Sequence, residues 1–141
     1  MSYSAIDLAK YVVSKCAKDN HPFSNLQLQK ILYYIQKDFL NRNDIAFPDA
    51  IEAWPFGPVV PNVYYHYCGY GAMPILSLRE AYEIDLEDKK FVDPLIERKR
   101  KLDPWTMVAE THKTDGAWDK IYKDGRGNHQ IIPIELIKAV G

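Results

Sequence analysis

The sequence predicts a mainly α-helical protein, a single compact domain that carries one small β-hairpin. Apolar residues recur at helical spacing along several segments, and residues that favour helix caps precede these segments. A short stretch of weakly alternating apolar residues lies between two of them and predicts the hairpin. The chain has 141 residues, of which 47% are hydrophobic, so one buried core is expected. No low-complexity linker or internal repeat divides it, and we treat residues 1–141 as one domain.

The first two helices have the clearest boundaries. Ser4 and Asp7 resemble a capping box for a helix over residues 4–19, and Ser24 with Gln27 forms a second box before the next helix. On this second helix one narrow apolar stripe is expected to face the core, namely Leu28, Ile31, Leu32, Ile35 and Phe39. The other side of the helix is expected to carry Lys30, Tyr33, Tyr34 and Lys37.

A proline-rich connector follows the predicted hairpin. Turn formers at residues 41–48 and weak alternation over residues 50–54 predict the two strands. Pro55, Pro58 and Pro61 each fix φ and disfavour helical backbone in the residue before them. We therefore expect a stiff, extended connector with no strand, whose last proline starts the third helix.

This connector is apolar and is expected to be held against the core. Trp54 and Phe56 are predicted to pack on the stripe of the second helix, and Gly57 gives a turn signal. If the φ of Gly57 is positive, a larger residue there should disrupt folding. The third helix is expected to end at the glycines of residues 69–71.

The C-terminal half is expected to contain short helices after a mostly irregular segment at residues 72–88. Asp93 and Asp103, each followed by proline, predict N-caps. The helices expected in this half span residues 94–101, 104–113, 117–123 and 133–140, with a strand fragment at residues 129–132. On the second of these helices one face is expected to carry Trp105, Val108, Ala109 and His112.

Composition and charge argue against some classes of partner. A formal net charge of −1 provides no general attraction to nucleic acid or to an anionic membrane. No apolar run is long enough to cross a bilayer, and the N-terminus lacks the features of a signal peptide. Cys16 and Cys68 are too few and too far apart for a disulfide framework or a zinc site, and we expect both to be buried. These features favour a cytoplasmic protein without a cofactor or a metal.

A catalytic site is hard to assemble from this sequence. His66 and Cys68 lie two positions apart on a predicted helix, which directs their side chains away from each other. The four histidines show no short metal-ligand spacing, and His112 beside Trp105 is expected to be a packing residue. We expect no enzymatic activity. A cysteine-dependent hydrolase remains an alternative, and it would require a reactive Cys68 thiolate.

The tyrosines are the strongest sign of a partner surface, since tyrosine provides a large contact area and the chain has ten. The residues expected to contact a partner are Lys30, Tyr33, Tyr34, Lys37, Trp54, Phe56, Tyr64, Tyr65 and Tyr67. The basic residues 98–101 support an alternative, a nucleic-acid-binding regulator, although a solvated helix end is the favoured interpretation of this cluster.

Four segments together resemble one family. Residues 28–36 read Leu-x-Lys-x-Leu-Tyr-x-x-Gln, and residues 51–64 contain Glu-Ala-Trp-x-x-Gly-Pro-Val. Residues 111–118 contain Thr-His and then Trp118, and residues 132–137 follow in the same order. In this combination the chain resembles the Panacea domain, the phage-associated family that includes the SocA-like antitoxins. It departs where Ala117-Trp118 replaces a proline-tryptophan pair that often follows Thr-His.

The resemblance implies a small cytoplasmic domain, common in prophages and mobile elements, which neutralises a toxin encoded by an adjacent gene through direct binding and without catalysis. In one branch of the family it also implies delivery of the toxin to an ATP-dependent protease. Self-association is left open. The residues expected to maintain the family motif are Gln36, Gly57, Pro58, Val59, Pro61, His112 and Trp118, whereas Lys30, Tyr33, Trp54 and Tyr64 match it among the expected contact residues.

Overall fold

The computed structural model of the protein describes residues 2–76 and 81–141. Its α-helices are α1 (Ala5–Lys18), α2 (Asn25–Asn41), α3 (Pro61–Tyr67), α4 (Leu86–Lys99), α5 (Pro104–Thr111), α6 (Ala117–Tyr122) and α7 (Ile134–Val140). Two antiparallel strands, β1 (Glu52–Trp54) and β2 (Gly57–Val59), form the hairpin. Short 3₁₀ turns follow α3 and α6 at Cys68–Tyr70 and Lys123–Gly125. None of the helices in the described ranges is long and apolar enough to span a membrane. The predicted mainly α-helical fold with one small hairpin is confirmed.

Helix α2 is the centre of the fold, and it packs against α1, α3, α4, α5, α7 and β2. Both predicted caps are present, because Ser4 accepts from the backbone N–H of Asp7 and Ser24 with Gln27 forms a complete capping box. The predicted stripe is buried at every position: Leu28, Ile31, Leu32, Ile35 and Phe39. The expectation that Lys30 and Tyr33 lie on the side of α2 away from the core is wrong, because both side chains are also buried.

Two buried amide side chains of α2 hold the segments on either side of the hairpin. Gln36 donates to the carbonyl of Phe47 and accepts from the N–H of Ala46, both at 2.8 Å. Gln29 accepts from the N–H of Val60 at 2.8 Å. Since buried backbone groups need partners, these bonds fix where the chain enters and leaves the hairpin.

The hairpin lies further along the chain than predicted. Strand β2 is formed by the connector itself, with Ala53 opposite Pro58 and Trp54 opposite Gly57. The backbone N–H and carbonyl of Ala53 point to the edge of β1 that faces away from β2. There the N–H donates to the carbonyl of Gln130, and the carbonyl accepts from the N–H of His129. Because this pair requires no donor from Pro58, proline is tolerated in the strand. The expected fragment at residues 129–132 pairs with this other edge of β1, but it forms one isolated bridge, between Ile131 and Glu52, and no strand.

Trp54 and Phe56 do not pack on the stripe of α2, contrary to the prediction. The hairpin buries Ala53 and Val59 instead, while Phe56 at its tip is 56% exposed. Helix α3 begins at Pro61 as predicted, and its 3₁₀ extension ends at Gly71, which has a φ of 58°. The predicted boundaries of the third helix are therefore confirmed.

Helix α4 corrects the prediction for the segment before residue 94. It starts at Leu86, and Pro94 lies inside it. The carboxylate of Asp93 is no cap and accepts from the hydroxyl of Tyr11, while the N–H of Asp85 at the helix start donates to Tyr3. Burial of apolar side chains on α4 offsets the roughly 3 kcal/mol that an interior proline costs. Residues 77–80 of the predicted loop lie outside the described residues.

The remaining helices match their predicted positions. Asp103 caps α5 by accepting from the N–H groups of Trp105 and Thr106, and α6 and α7 lie within the predicted ranges. On the predicted face of α5, Trp105 and Ala109 are exposed, whereas Val108 is buried. The buried residues of this helix are Met107, Val108 and Thr111.

Candidate functional site

Helix α2, strand β2 and helix α5 approach one another most closely beneath the hairpin. Gly57 has a φ of 119°, and a Cβ at this position would lie 2.9 Å from Cε of Lys30 and 2.8 Å from Oγ1 of Thr111. The backbone conformation and the lack of space both require glycine here. The Thr111 hydroxyl donates to the carbonyl of Val108 at 3.0 Å.

The amine of Lys30 lies fully buried in this contact. It has no hydrogen-bond partner among residues 2–76 and 81–141, and burial lowers the pKa of Lys30 to about 7. The pKa of His112 is also lowered, first by burial and then by the charge of Lys30, while a hydrogen bond with the Phe56 backbone acts in the opposite direction. The region therefore disfavours positive charge.

A stack of aromatic rings extends this buried region toward α6. The ring of His112 lies 3.6 Å from that of Trp118, which in turn stacks on Tyr122 at 4.5 Å. The indole N–H of Trp118 donates to the carbonyl of Trp54 at 2.8 Å. We call Lys30, Gly57, Thr111, His112 and Trp118 the buried cluster. It joins α2, the hairpin, α5 and α6.

Aromatic side chains cover the outer side of the hairpin. Trp54 stacks on His129 at 4.4 Å, meets Tyr64 edge-on at 4.9 Å and makes a tilted contact with Tyr65 at 6.1 Å. Phe56 meets the ring of Trp105 edge-on at 5.8 Å. We define the aromatic surface as Trp54, Phe56, Tyr64, Tyr65, Trp105 and His129.

An apolar groove of about 290 Å³ continues this surface. Trp54, Phe56 and Tyr64 line both features, and Leu26 of α2 contributes to the opposite wall. Cys68 lies at the rim, where its thiol donates to the carbonyl of Tyr65 at 3.2 Å. A hairpin, two helices and a small groove thus present one continuous apolar area to solvent.

Comparison with known proteins identifies the family. The model of the Antitoxin SocA-like Panacea domain matches residues 28–119, well over half of the chain. The chain belongs to this family. It is also similar to Antitoxin SocA of Caulobacter vibrioides (strain NA1000 / CB15N), with 28% identity over 152 residues that cover 99% of this chain and 80% of that protein. No solved structure matches the chain.

The residues that match the family model run from α2 to α6, and they include the whole buried cluster. The Panacea motif segments, which are far apart in sequence, meet in this cluster: α2 provides Lys30, the hairpin provides Gly57, and α5 and α6 provide His112 and Trp118. Of the residues predicted to contact a partner, Trp54, Phe56, Tyr64 and Tyr65 gather on the aromatic surface. Lys30, Tyr33 and Tyr67 are buried, and Tyr34 with Lys37 lines a separate cleft.

Two members of the aromatic surface of this Panacea domain were not predicted as contact residues. Trp105 lies in the first turn of α5, directly after the Asp103 cap and Pro104. His129 lies in an irregular segment and has no local signal. The expectation for the cysteines is half right, since Cys16 is buried and Cys68 is exposed.

The predicted basic cluster does not form one patch on the Panacea fold. Arg100 pairs with Asp19 at 2.8 Å, and Lys99 pairs with Glu110 at 3.0 Å on another side. Arg98 lines the same cleft as Lys99, whereas Lys101 is exposed away from it. A continuous track for a nucleic-acid backbone is therefore not assembled from residues 98–101.

Proposed function

We propose that this Panacea domain neutralises a cognate toxin, encoded by an adjacent gene, through direct binding at the aromatic surface. Membership of the SocA-like family supports the antitoxin role. The observation that carries the proposed site is the exposure of Phe56, Tyr65 and Trp105, which are 56%, 62% and 63% exposed. Contiguous exposed apolar side chains of this kind are typical of interaction sites in soluble proteins.

The chemistry of the surface suits a protein partner. Tryptophan and tyrosine are enriched among residues that dominate binding energy, because they bury a large area with few rotatable bonds. Trp54 is already held between His129 and Tyr64, so little conformational freedom remains to be lost on binding. The proposed partner face is therefore apolar, with hydroxyl contacts from Tyr64 and Tyr65 at the edge of the contact.

In this proposal the remaining predicted contact residues have other positions. Lys30, Tyr33 and Tyr67 are buried, and Tyr34 and Lys37 line the separate cleft. We also propose that the bound toxin is either held inactive or delivered to an ATP-dependent protease. The half-life of the toxin in the presence and absence of this protein, in cells with and without the protease, separates these two outcomes.

Co-expression with the neighbouring gene tests the proposal. We expect the neighbouring product to arrest growth alone, and we expect growth to be restored and a complex to be purified when this chain is present. A matched control expresses the same pair with a stop codon early in this chain. A neighbouring product that is harmless alone, or that stays toxic beside the folded protein, contradicts the antitoxin proposal.

A further inference from the structure

A second cleft lies between α2, α4 and α5 and shares none of its residues with the aromatic surface. It has a volume of about 300 Å³. Six of its lining residues carry the argument that follows: Tyr33, Tyr34, Lys37, Arg98, Lys99 and Lys113. The inference concerns this cleft alone and does not depend on toxin binding.

The cleft has an excess of positive charge. Its carboxylates are largely engaged, since Asp38 pairs with Arg42 at 3.2 Å and Glu110 pairs with Lys99 at 3.0 Å. Arg98 and Lys113 have no ion pair in the part of the chain that the structure describes. Two cations that face a confined space without counter-ions provide a strong attraction for an anion.

Lys37 shows the repulsion within the cleft. Its pKa is lowered by burial and, after that, by the charges of Lys113 and Lys99. The amine of Lys37 donates to the backbone oxygen of Gly141. An anion bound between these amines would relieve the repulsion.

Tyr33 adds a hydroxyl group to the lining of the cleft. This residue is 3% exposed and lines the cleft, and burial raises the pKa of its hydroxyl to about 12. A hydroxyl at the wall of the cleft can donate a hydrogen bond to an anionic oxygen bound there.

We propose that this cleft binds a phosphate-bearing small molecule, with the phosphate held by Arg98 and Lys113 and accepting a hydrogen bond from Tyr33. Guanidinium groups bind phosphate through two parallel hydrogen bonds, and lysine adds a point charge. Leu95 and the ring of Tyr34 provide an apolar wall for the rest of the molecule. The volume lies at the lower end of the range for small-molecule sites, roughly 300 to 1,000 Å³, so a ligand of about mononucleotide size fits.

Calorimetric titration at low ionic strength tests the site, with pyrophosphate and AMP as probes and adenosine as the control without phosphate. We expect both phosphorylated probes to bind and adenosine not to bind. Arg98→Gln and Lys113→Gln should each weaken binding about tenfold. Tyr33→Phe, which removes a neutral donor, should weaken it about threefold. Lys101→Gln, an equal loss of charge outside the cleft, should leave binding unchanged.

Three results would overturn the proposal. The first is a folded wild-type protein that binds neither pyrophosphate nor AMP. The second is an equal loss of affinity in Lys101→Gln, which would indicate general charge attraction. The third is binding of a single-stranded oligonucleotide without binding of either small probe, which would assign the cleft to a nucleic-acid backbone. Thermal unfolding of each variant establishes that it is folded.

Discussion

The inner and outer sides of the hairpin use neighbouring residues for different purposes. On the inner side, Gly57 lies against Lys30 and Thr111 with no space for a single added carbon atom. On the outer side, Phe56 is more than half exposed, and its ring meets that of Trp105 edge-on. Adjacent residues in the sequence thus belong to a close-packed core contact and to an open surface. We expect substitutions on the inner side to change stability and those on the outer side to change binding.

The comparison also explains the family motif. The residues by which the chain resembles the Panacea family include Lys30, Gly57, His112 and Trp118, and these lie in the buried cluster. The cluster holds the hairpin in one position relative to α5 and α6. The core depends little on the more exposed residues at the same hairpin, such as Phe56.

Replacing Gly57 with valine should produce the largest effect. A β-branched residue at a φ of 119° is strained, and its Cβ would overlap Lys30 and Thr111, so we expect a loss of roughly 4 kcal/mol in the free energy of unfolding. Urea denaturation followed by circular dichroism measures this loss. Gly69→Val is the matched control, because no atom lies within 4 Å of a Cβ there. Equal stability of the two variants would contradict the close packing of the inner side.

Removing the two most exposed rings should produce the next largest effect, and on binding only. The double variant Phe56→Ala with Trp105→Ala should weaken toxin binding by about 2 kcal/mol, roughly 30-fold in Kd, since such rings dominate interface energy. Stability should change by less than about 1 kcal/mol because both side chains are mostly exposed.

Calorimetry or surface plasmon resonance with the purified toxin measures this Kd. Phe91→Ala is the control, since Phe91 is an exposed aromatic residue of α4 that is 46% exposed and lies outside the aromatic surface. An unchanged Kd in the double variant, together with normal stability, would place the toxin on another face of the molecule and would separate the antitoxin role from the proposed site.

The helices could be predicted from the sequence because their signals are local. Ser24 with Gln27 and Asp103 with Pro104 mark starts that the structure confirms, and the stripe on α2 identifies the core. The start of α4 could not be found in this way, because the N–H of Asp85 is satisfied by Tyr3, a residue distant in the sequence. Asp93 with Pro94, which lie inside this helix, resembled an N-cap followed by the first helical residue.

The candidate site depended on long-range contacts and was predicted only in part. Strand β2 was missed because proline normally interrupts a strand. Pro58 is tolerated here since its partner Ala53 makes its backbone hydrogen bonds with residues 129–130. Lys30 was placed on the outside because a lysine without a partner is almost never fully buried. Aromatic content did identify four of the six residues of the aromatic surface, because composition can be read without knowledge of the fold.

Replacing Lys30 with methionine should produce the smallest effect, and it should depend on pH. The pKa of Lys30 in the folded protein, about 7, lies below its ordinary value of 10.5, so between these values the unfolded chain binds more protons. The wild-type protein should therefore gain stability as the pH rises from 7 toward 10.5. Below pH 7, where the buried amine must carry its charge without a partner, Lys30→Met should be more stable by about 1 to 2 kcal/mol.

This difference between the wild type and Lys30→Met should shrink as the pH rises above 7, because the folded wild-type protein then no longer holds a buried charge. Urea denaturation across this pH range measures it, and tyrosine ionisation, which both proteins share, cancels in the difference. Lys101→Met, at an exposed position, should show no such dependence. If Lys30→Met were destabilising by the same amount at every pH, the amine would have a polar partner in solution, and the inner side of the hairpin would be held by a hydrogen bond and not by packing alone.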